Sequence, residues 1–359
     1  MATTIVPQIV TVNVTVQEAP APSQYQQSGA IVSVGGTTLT TGDYQYCGNL
    51  AALTALLSAA GNSAELTDMA TTFFAQGQAV GLYVLELGVQ SSPDQAALGT
   101  WDAENPGVFY AYLVPADWDG AAMATVASSY AAPGAMKYFF VTTTSTTFTA
   151  YNSTKSVFAF ADAPAMGSSE FDAASAFYNF LMNSPSAVNQ LQPMGYRFLY
   201  GTTPWPTSGQ ASTIQTLLTG YVNISYPNNQ AGLTSASLYR GTTMDGEQAA
   251  WWYGIDWVNV QANQALAAAV INGANGQPPV VYNQAGINTL QEILQSIADD
   301  AVQFGCVLSA TVTAIPFSTY TAQNPDDYKA GLYKGFSLNV VGLNQFLNIT
   351  FNLNATQFA

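Results

Sequence analysis

The segment QAGINTLQEILQSIADDAVQFGCVLSATVTAI, residues 284–315, changes its repeat partway along. Ile287, Leu290, Ile293, Leu294, Ile297, Ala298, Ala301 and Val302 advance by steps of three and one, which stacks them on one face of a helix. Gly305 supplies the stop, and from Cys306 to Ile315 the chain alternates in a Thr-rich pattern of period two, the mark of a strand. A helix passed to a strand through a glycine indicates a mixed α/β chain of the α+β kind rather than a bundle or an all-β sandwich.

Moving outward, Asp245 followed three residues later by Gln248 resembles a capping box. The stretch from Glu247 to Ile271 then predicts one long helix ending at Asn272-Gly273, with Ala274 to Pro279 as a loop. On the other side, Thr319 to Tyr328 reads as a loop. Phe336, Leu338 and Val340 alternate, and after Gly342 so do Leu347, Ile349, Phe351 and Leu353 against Asn348, Thr350, Asn352 and Asn354, predicting a hairpin or two offset strands. Between residues 29 and 235 short strands alternate with helices. Strands are expected at Gly81 to Gly88, Val108 to Val114, Lys137 to Thr142, Val157 to Phe160 and Tyr196 to Tyr200. Helices are expected at Leu50 to Ala60, Glu65 to Gln76, Gly120 to Ala131 and Ser169 to Met182. At the start, Ile9, Val10, Val12, Val14 and Val16 belong to an apolar, alternating ribbon followed by Ala19-Pro20-Ala21-Pro22, which cannot continue a ladder. Four parts follow: an arm and linker over 1–30, an α/β unit over 31–235, a second unit over 236–335 and a closing β-arm over 336–359.

Composition narrows the function. Only 8% of residues are charged, where a soluble domain carries about a quarter. Low charge suits a surface mostly covered by copies of itself, because a charge in an interface core must be paired or desolvated at a cost. Six Lys and Arg against 21 Asp and Glu give −15, with the first basic side chain at Lys137; nucleic acid and anionic membrane are therefore poor partners. No run reaches the length of a membrane span, and the first residues lack the basic and apolar regions of a signal peptide, so use without Sec export is expected. Cys47 and Cys306 read as buried free thiols.

Chemistry is sparse. With no His, Ser-His-Asp and Cys-His catalysis and His-ligated zinc are excluded, and no Gly-rich phosphate loop with a following Lys occurs. The acidic pairs Asp102/Glu104, Asp117/Asp119, Asp299/Asp300 and Asp326/Asp327 fit solvated loops or helix ends better than a hydrolase or cation site. Trp251, Trp252, Tyr253 and Trp257 fit core packing with a subunit contact better than a sugar platform. No catalytic, cofactor or metal residue is expected. What remains is a pair of uncharged terminal ribbons without the charges that keep edge strands from joining a neighbour. They pair either inside their own sheet or with other copies by β-augmentation.

The order of parts resembles the contractile tail sheath family. The resemblance rests on Val16-Gln17-Glu18-Ala19-Pro20 after the first strand, on Arg240-Gly241-Thr242-Thr243-Met244-Asp245-Gly246 leading to Gly254-Ile255-Asp256-Trp257, and on Tyr282-Asn283-Gln284-Ala285-Gly286-Ile287 before the amphipathic helix. It is carried by 238–359 and then by 1–35 rather than by the region between, and the family's frequent Pro-Gly-Val-Tyr run is missing from the first arm. It implies a non-enzymatic virion protein, stacked in six-fold rings around a tail tube. Residues 236–335 would face the tube and 31–235 lie outside. Contact with tube, baseplate and tail terminator proteins, assembly in the bacterial cytoplasm and nucleotide-free contraction through the host envelope are also implied. Terminal strands at Ile9, Val10, Val12, Val14, Val16, Leu347, Ile349, Phe351 and Leu353 would be exchanged between subunits, with hinges at Pro20, Pro22, Gly331 and Gly335. A tail tube subunit and a secreted carbohydrate-active enzyme are the alternatives.

Overall fold

The computed structural model describes residues 24–89, 95–229, 232–276 and 279–348. The chain first builds strands β1 Gly29–Ser33, β2 Tyr44–Cys47, β3 Leu82–Glu86, β4 Ala111–Leu113, β5 Tyr138–Thr142 and β6 Val157–Ala161. Then come β7 Phe198–Leu199, β8 Asn223–Pro227 and β9 Ala236–Tyr239. Interspersed are helices α1 Leu50–Thr54, α2 Ser63–Ala75, α3 Gln95–Glu104, α4 Ala121–Ser128, α5 Asp172–Leu181 and α6 Ala211–Thr219. The remainder is α7 Ala249–Asn275, α8 Gln284–Gln303, β10 Val307–Ala314, α9 Phe317–Gln323, α10 Pro325–Lys329 and β11 Phe336–Gly342.

The first nine strands form one sheet in the order β2-β3-β1-β4-β5-β6-β8-β9-β7. Its centre, from β3 through β8, is parallel, and β2, β9 and β7 join antiparallel at the two edges. A parallel sheet must be covered on both faces, and the strand sequences comply: GAIVS, YFFV and VFAFA are buried throughout. Alternate residues divide between two cores. Tyr138, Phe140, Phe158 and Phe160 pack with α2, α5 and the start of α7, while Phe139, Val141, Val157 and Ala159 pack with residues of α3, α4 and α6. Both thiols are buried and free, and burial pushes each up to about 12.

Ala236–Tyr239, expected to open the second unit, is a strand of this large sheet. The helix after it also reaches back: Ala249, Ala250, Trp252 and Tyr253 lie in the first core. Asp256, 1% exposed, accepts hydrogen bonds from the Tyr110 hydroxyl at 2.9 Å and the Tyr138 hydroxyl at 2.7 Å. Burial raises this carboxyl to about 6, against the Lys155 charge and the two hydroxyls. Lys155 lies 4.4 Å from the Trp252 ring and donates to the carbonyls of Pro133 and Ala135. The Trp-rich segment is therefore a core element, which agrees with half of its expected use.

Several local expectations change. Asp245 does not cap α7 in concert with Gln248; it accepts from Thr243 Oγ1, the Glu247 amide and the Trp252 indole at 2.6, 3.1 and 2.9 Å, and the Gln248 side chain makes no cap bond. The helix also runs through Asn272-Gly273 to Asn275, because Gly273 answers a close approach: a Cβ there would lie 2.5 Å from the side chain of Val280. The stretch read as a loop over 319–328 is mostly helical, in α9 and α10. Asp102 is no solvated helix end. It is 3% exposed, with Lys137 Nζ at 2.6 Å and the Tyr112 hydroxyl at 2.5 Å.

Candidate assembly surface

The second half of α7, with α8, covers a sheet of only two strands. β10 and β11 pair antiparallel from Val307↔Gly342 to Ala314↔Phe336, with an irregularity between Val307 and Ser309. Period two decides which side is covered. Val307, Val312, Leu338 and Val340 pack with Trp257, Val258, Leu294, Ile297, Ala298 and Ala301 from the helices. Ser309, Thr311 and Thr313 on β10, with Ser337, Asn339 and Val341 on β11, face away and are exposed. Asn283 caps α8 by accepting from the Gly286 amide at 2.9 Å, so the helix expected from its apolar spacing begins one turn before that stripe.

Among the described residues neither strand has a second neighbour, so each presents an open outer edge. Neither carries a charged residue or a proline. Those are the usual devices against edge-to-edge pairing, and a ribbon of two strands alone is marginal in water. Around it lie exposed apolar side chains: Leu308 at 61%, Val341 at 54% and Phe346 at 82%.

The loop joining β10 to β11 is packed rather than loose. Tyr282, Phe317, Tyr328 and Tyr333 meet in edge-on ring contacts, and Tyr320 donates to Asp327 at 2.7 Å. That bond, opposed by burial and helped by Lys334, holds the Asp327 carboxyl below its ordinary value. Lys329 and Lys334 pair with Asp326 and Asp327 of their own chain, each at 3.4 Å. Gly331, with φ +70°, ends α10, and a Cβ on Gly335 would lie 2.5 Å from the Tyr333 ring.

Over the described residues after Gly342 the chain does not return on β11. It crosses the body as a strap over 343–348, fixed by side chains far away in sequence. The Gly195 amide donates to Gln345 Oε1 at 3.1 Å, Gln345 Nε2 donates to the Arg240 carbonyl at 3.5 Å, and the Tyr196 hydroxyl donates to the Leu347 carbonyl at 2.6 Å. Two glycines permit the approach: a Cβ on Gly195 would lie 1.9 Å from the Gln345 amide, and one on Gly342 would lie 1.7 Å from the Trp251 indole. Beside the strap runs a largely apolar groove of ≈ 450 Å³ lined by Leu191, Pro193, Ala250, Leu343 and Phe346. The sequence reading missed this strap, since its contacts span 105 to 151 residues and leave no local pattern.

Of the predicted arm residues, Leu347 is in the strap. Ile9, Val10, Val12, Val14, Val16, Ile349, Phe351 and Leu353, with Pro20 and Pro22, lie outside the described residues. Phe336, Leu338 and Val340, expected in a terminal arm, belong instead to β11, paired with β10 of the same chain. Among the described residues no group of three or more Cys, Asp or Glu is placed to hold a metal ion.

No protein-family model and no curated protein matches the chain. Its fold, however, matches solved structures over nearly its whole length. A chain of the six-fold symmetrised anti-feeding prophage baseplate superimposes with a TM-score of 0.68 at 12% identity, covering 99% of this chain and 100% of that one. A chain of the same prophage's helical sheath in its contracted state gives 0.63 at 10% identity, with 98% and 99% covered. The sheath tail protein Lin1278 from Listeria innocua gives 0.59 at 7% identity, with 90% and 97% covered. The chain thus has the fold of contractile tail sheath proteins.

Proposed function

We propose that this chain is a structural subunit of a contractile tail sheath, polymerising in six-fold rings around a tail tube and driving the tube through a host envelope by contraction. The observation that carries the reading is the uncharged, two-stranded β10–β11 sheet, both of whose edges are open among the described residues, in a chain whose fold matches a helical sheath subunit from end to end. Each open edge offers a row of backbone donors and acceptors, and the terminal ribbons Ile9 to Val16 and, beyond the strap that holds Leu347, Ile349 to Leu353 have the uncharged alternating pattern that fits them. One ribbon from each of two neighbours would complete the sheet to four strands. The backbone ladder supplies the linkage and the alternation fixes the register.

In this reading the second half of α7, α8 and the β10–β11 sheet face the tube, and the nine-stranded sheet, which includes Ala236–Tyr239, lies outward. Tube, baseplate and terminator proteins are the partners, and the linker at Pro20 and Pro22 takes up the change of spacing on contraction. Gly331 and Gly335 would flex only if the aromatic packing of their loop opened. The role needs no catalytic group and no cofactor, in keeping with a chain that has no His and 8% charge. Electron microscopy of the purified chain tests it: striated hollow cylinders are expected. Removal of residues 1–16 or 349–359 should leave a folded subunit that forms none. A full-length chain that stays monomeric at high concentration, or either truncation assembling as well as the parent, overturns the reading.

A further inference from the structure

Every residue of α5 is buried, including Asp172 at its start, which is 0% exposed. Neither Asp172 oxygen has a hydrogen-bond partner. Asp162, just beyond the end of β6, likewise has one buried oxygen without a partner, and so does the Thr202 hydroxyl. The third acid of this region, Glu170, is held by the amide and hydroxyl of Thr203 at 3.1 and 2.8 Å. From α2, Thr72 contributes only its hydroxyl, which accepts from the Phe171 amide at 3.0 Å. The charges acting on Asp172 are Asp162 and Glu170, and the one acting on Asp162 is Glu170; none is basic. The six Lys and Arg offer no relief. Lys137 serves Asp102, Lys155 serves carbonyls and Trp252, and Arg197 serves Asn179, Asn183 and Gln192. Arg240 lies near the Tyr221 ring, and Lys329 and Lys334 are paired with Asp326 and Asp327.

A carboxylate buried with neither a donor nor a cation, as at Asp172, is held in the folded state only if it carries a proton, and half-buried Asp162 has one oxygen in the same condition. We propose that Asp162 and Asp172 form a proton-binding pair that keeps at least one proton in neutral solution and releases it to solvent in mildly alkaline solution. Burial, then repulsion from the neighbouring acids, pushes Asp172 up to about 8 and Asp162 up to about 7. Since the folded values lie above the ordinary carboxylate range, the stabilisation is complete at acid pH and is lost as pH rises through the folded values.

The test compares the full chain with Asp172→Asn, which keeps the shape and removes the titration. Between about pH 6 and about pH 9 the Tm of the parent should fall by about 5 °C more than that of the variant. The infrared carbonyl band of a protonated carboxylic acid should be present in the parent at neutral pH, vanish on alkalinisation, and be reduced in the variant. Equal Tm slopes, or no such band in the parent at neutral pH, would sink the proposal. So would a rise in the parent's Tm with calcium that the variant lacks, which would assign the acids to a metal ion instead. All these readouts are made on the unassembled chain and stay decisive whether or not it forms cylinders.

Discussion

The nine-stranded sheet and the β10–β11 sheet come from one chain with the same lack of charge, yet one is finished and the other is not. The large sheet hides both faces, and its aromatic residues fill two cores. Three of its four buried acids, Glu86, Asp102 and Asp256, have donors drawn from neighbouring elements, Asp172 being the exception. Among the described residues the small sheet hides one face against α7 and α8 and has nothing paired on its other face or either edge. A core that closes upon itself gives a stable body; a sheet that does not close gives that body something to bind with. If the contrast is correct, damage to the large sheet should appear as lost stability, and damage to the small one as lost assembly.

The largest effect on stability is expected from Phe140→Ala. Phe140 is fully buried, stacks on Phe158 at 4.8 Å between centroids, and contacts Phe177 and Phe180 from α5. Truncation leaves a cavity that packed neighbours fill only in part, at a cost of about 4 kcal/mol. Urea unfolding of the unassembled chain measures it. A loss under about 1 kcal/mol would mean that this core is looser than its ring contacts imply.

A smaller effect is expected at Glu86. Its carboxylate sits at the carboxyl ends of β1 and β3 and accepts from Ser33 Oγ, Thr37 Oγ1 and the amides of Gly35, Thr37 and Gly88 at 2.5 to 3.1 Å. Burial alone would raise its pKa, but the hydrogen bonds from Ser33, Thr37, Gly35 and Gly88 outweigh it and hold the group below its ordinary value. The stabilisation is therefore present above the ordinary carboxylate range and is lost as pH falls through the folded value. Glu86→Gln should cost about 2 kcal/mol at neutral pH and flatten the fall in stability on acidification, as followed by thermal melts. An unchanged acid limb would show that the donors hold the loop and not the charge.

These two sites also indicate how far the sequence can be read. The apolar runs around Phe140 and Phe158 announced strands, and the three-and-one spacing from Ile287 to Val302 announced α8, because local period reflects burial directly. Parallel pairing was not legible, nor were α3 and β8, whose polar or Gly-containing sequences give little period, nor α6, which is only nine residues long. Asp102 and Asp256 looked like ordinary acids, since what buries them is Lys137 in one case and Tyr110 and Tyr138 in the other, 35 to 146 residues away. The candidate surface was half legible. The uncharged alternation of Phe336 to Val340 was visible, while its pairing to β10 and the Gln345 strap depend on long-range contacts.

The sharpest test of the contrast has almost no effect on the subunit. Val341 is exposed on β11, opposite Ser309, and no part of the helix-facing core needs it. Val341→Lys puts a solvated ammonium on the open face, the same device by which natural edge strands refuse a partner. The monomer should keep its stability to within about 0.5 kcal/mol, because surface substitutions away from packed features rarely cost more. Cylinder formation should fall steeply, since a strand arriving at β11 would have to desolvate that charge without an acid to pair with it. Sedimentation of assembled material against Tm of the unassembled chain separates the two effects. Normal cylinders from Val341→Lys would mean that β11 is not joined on that side, moving the linkage to the outer edge of β10.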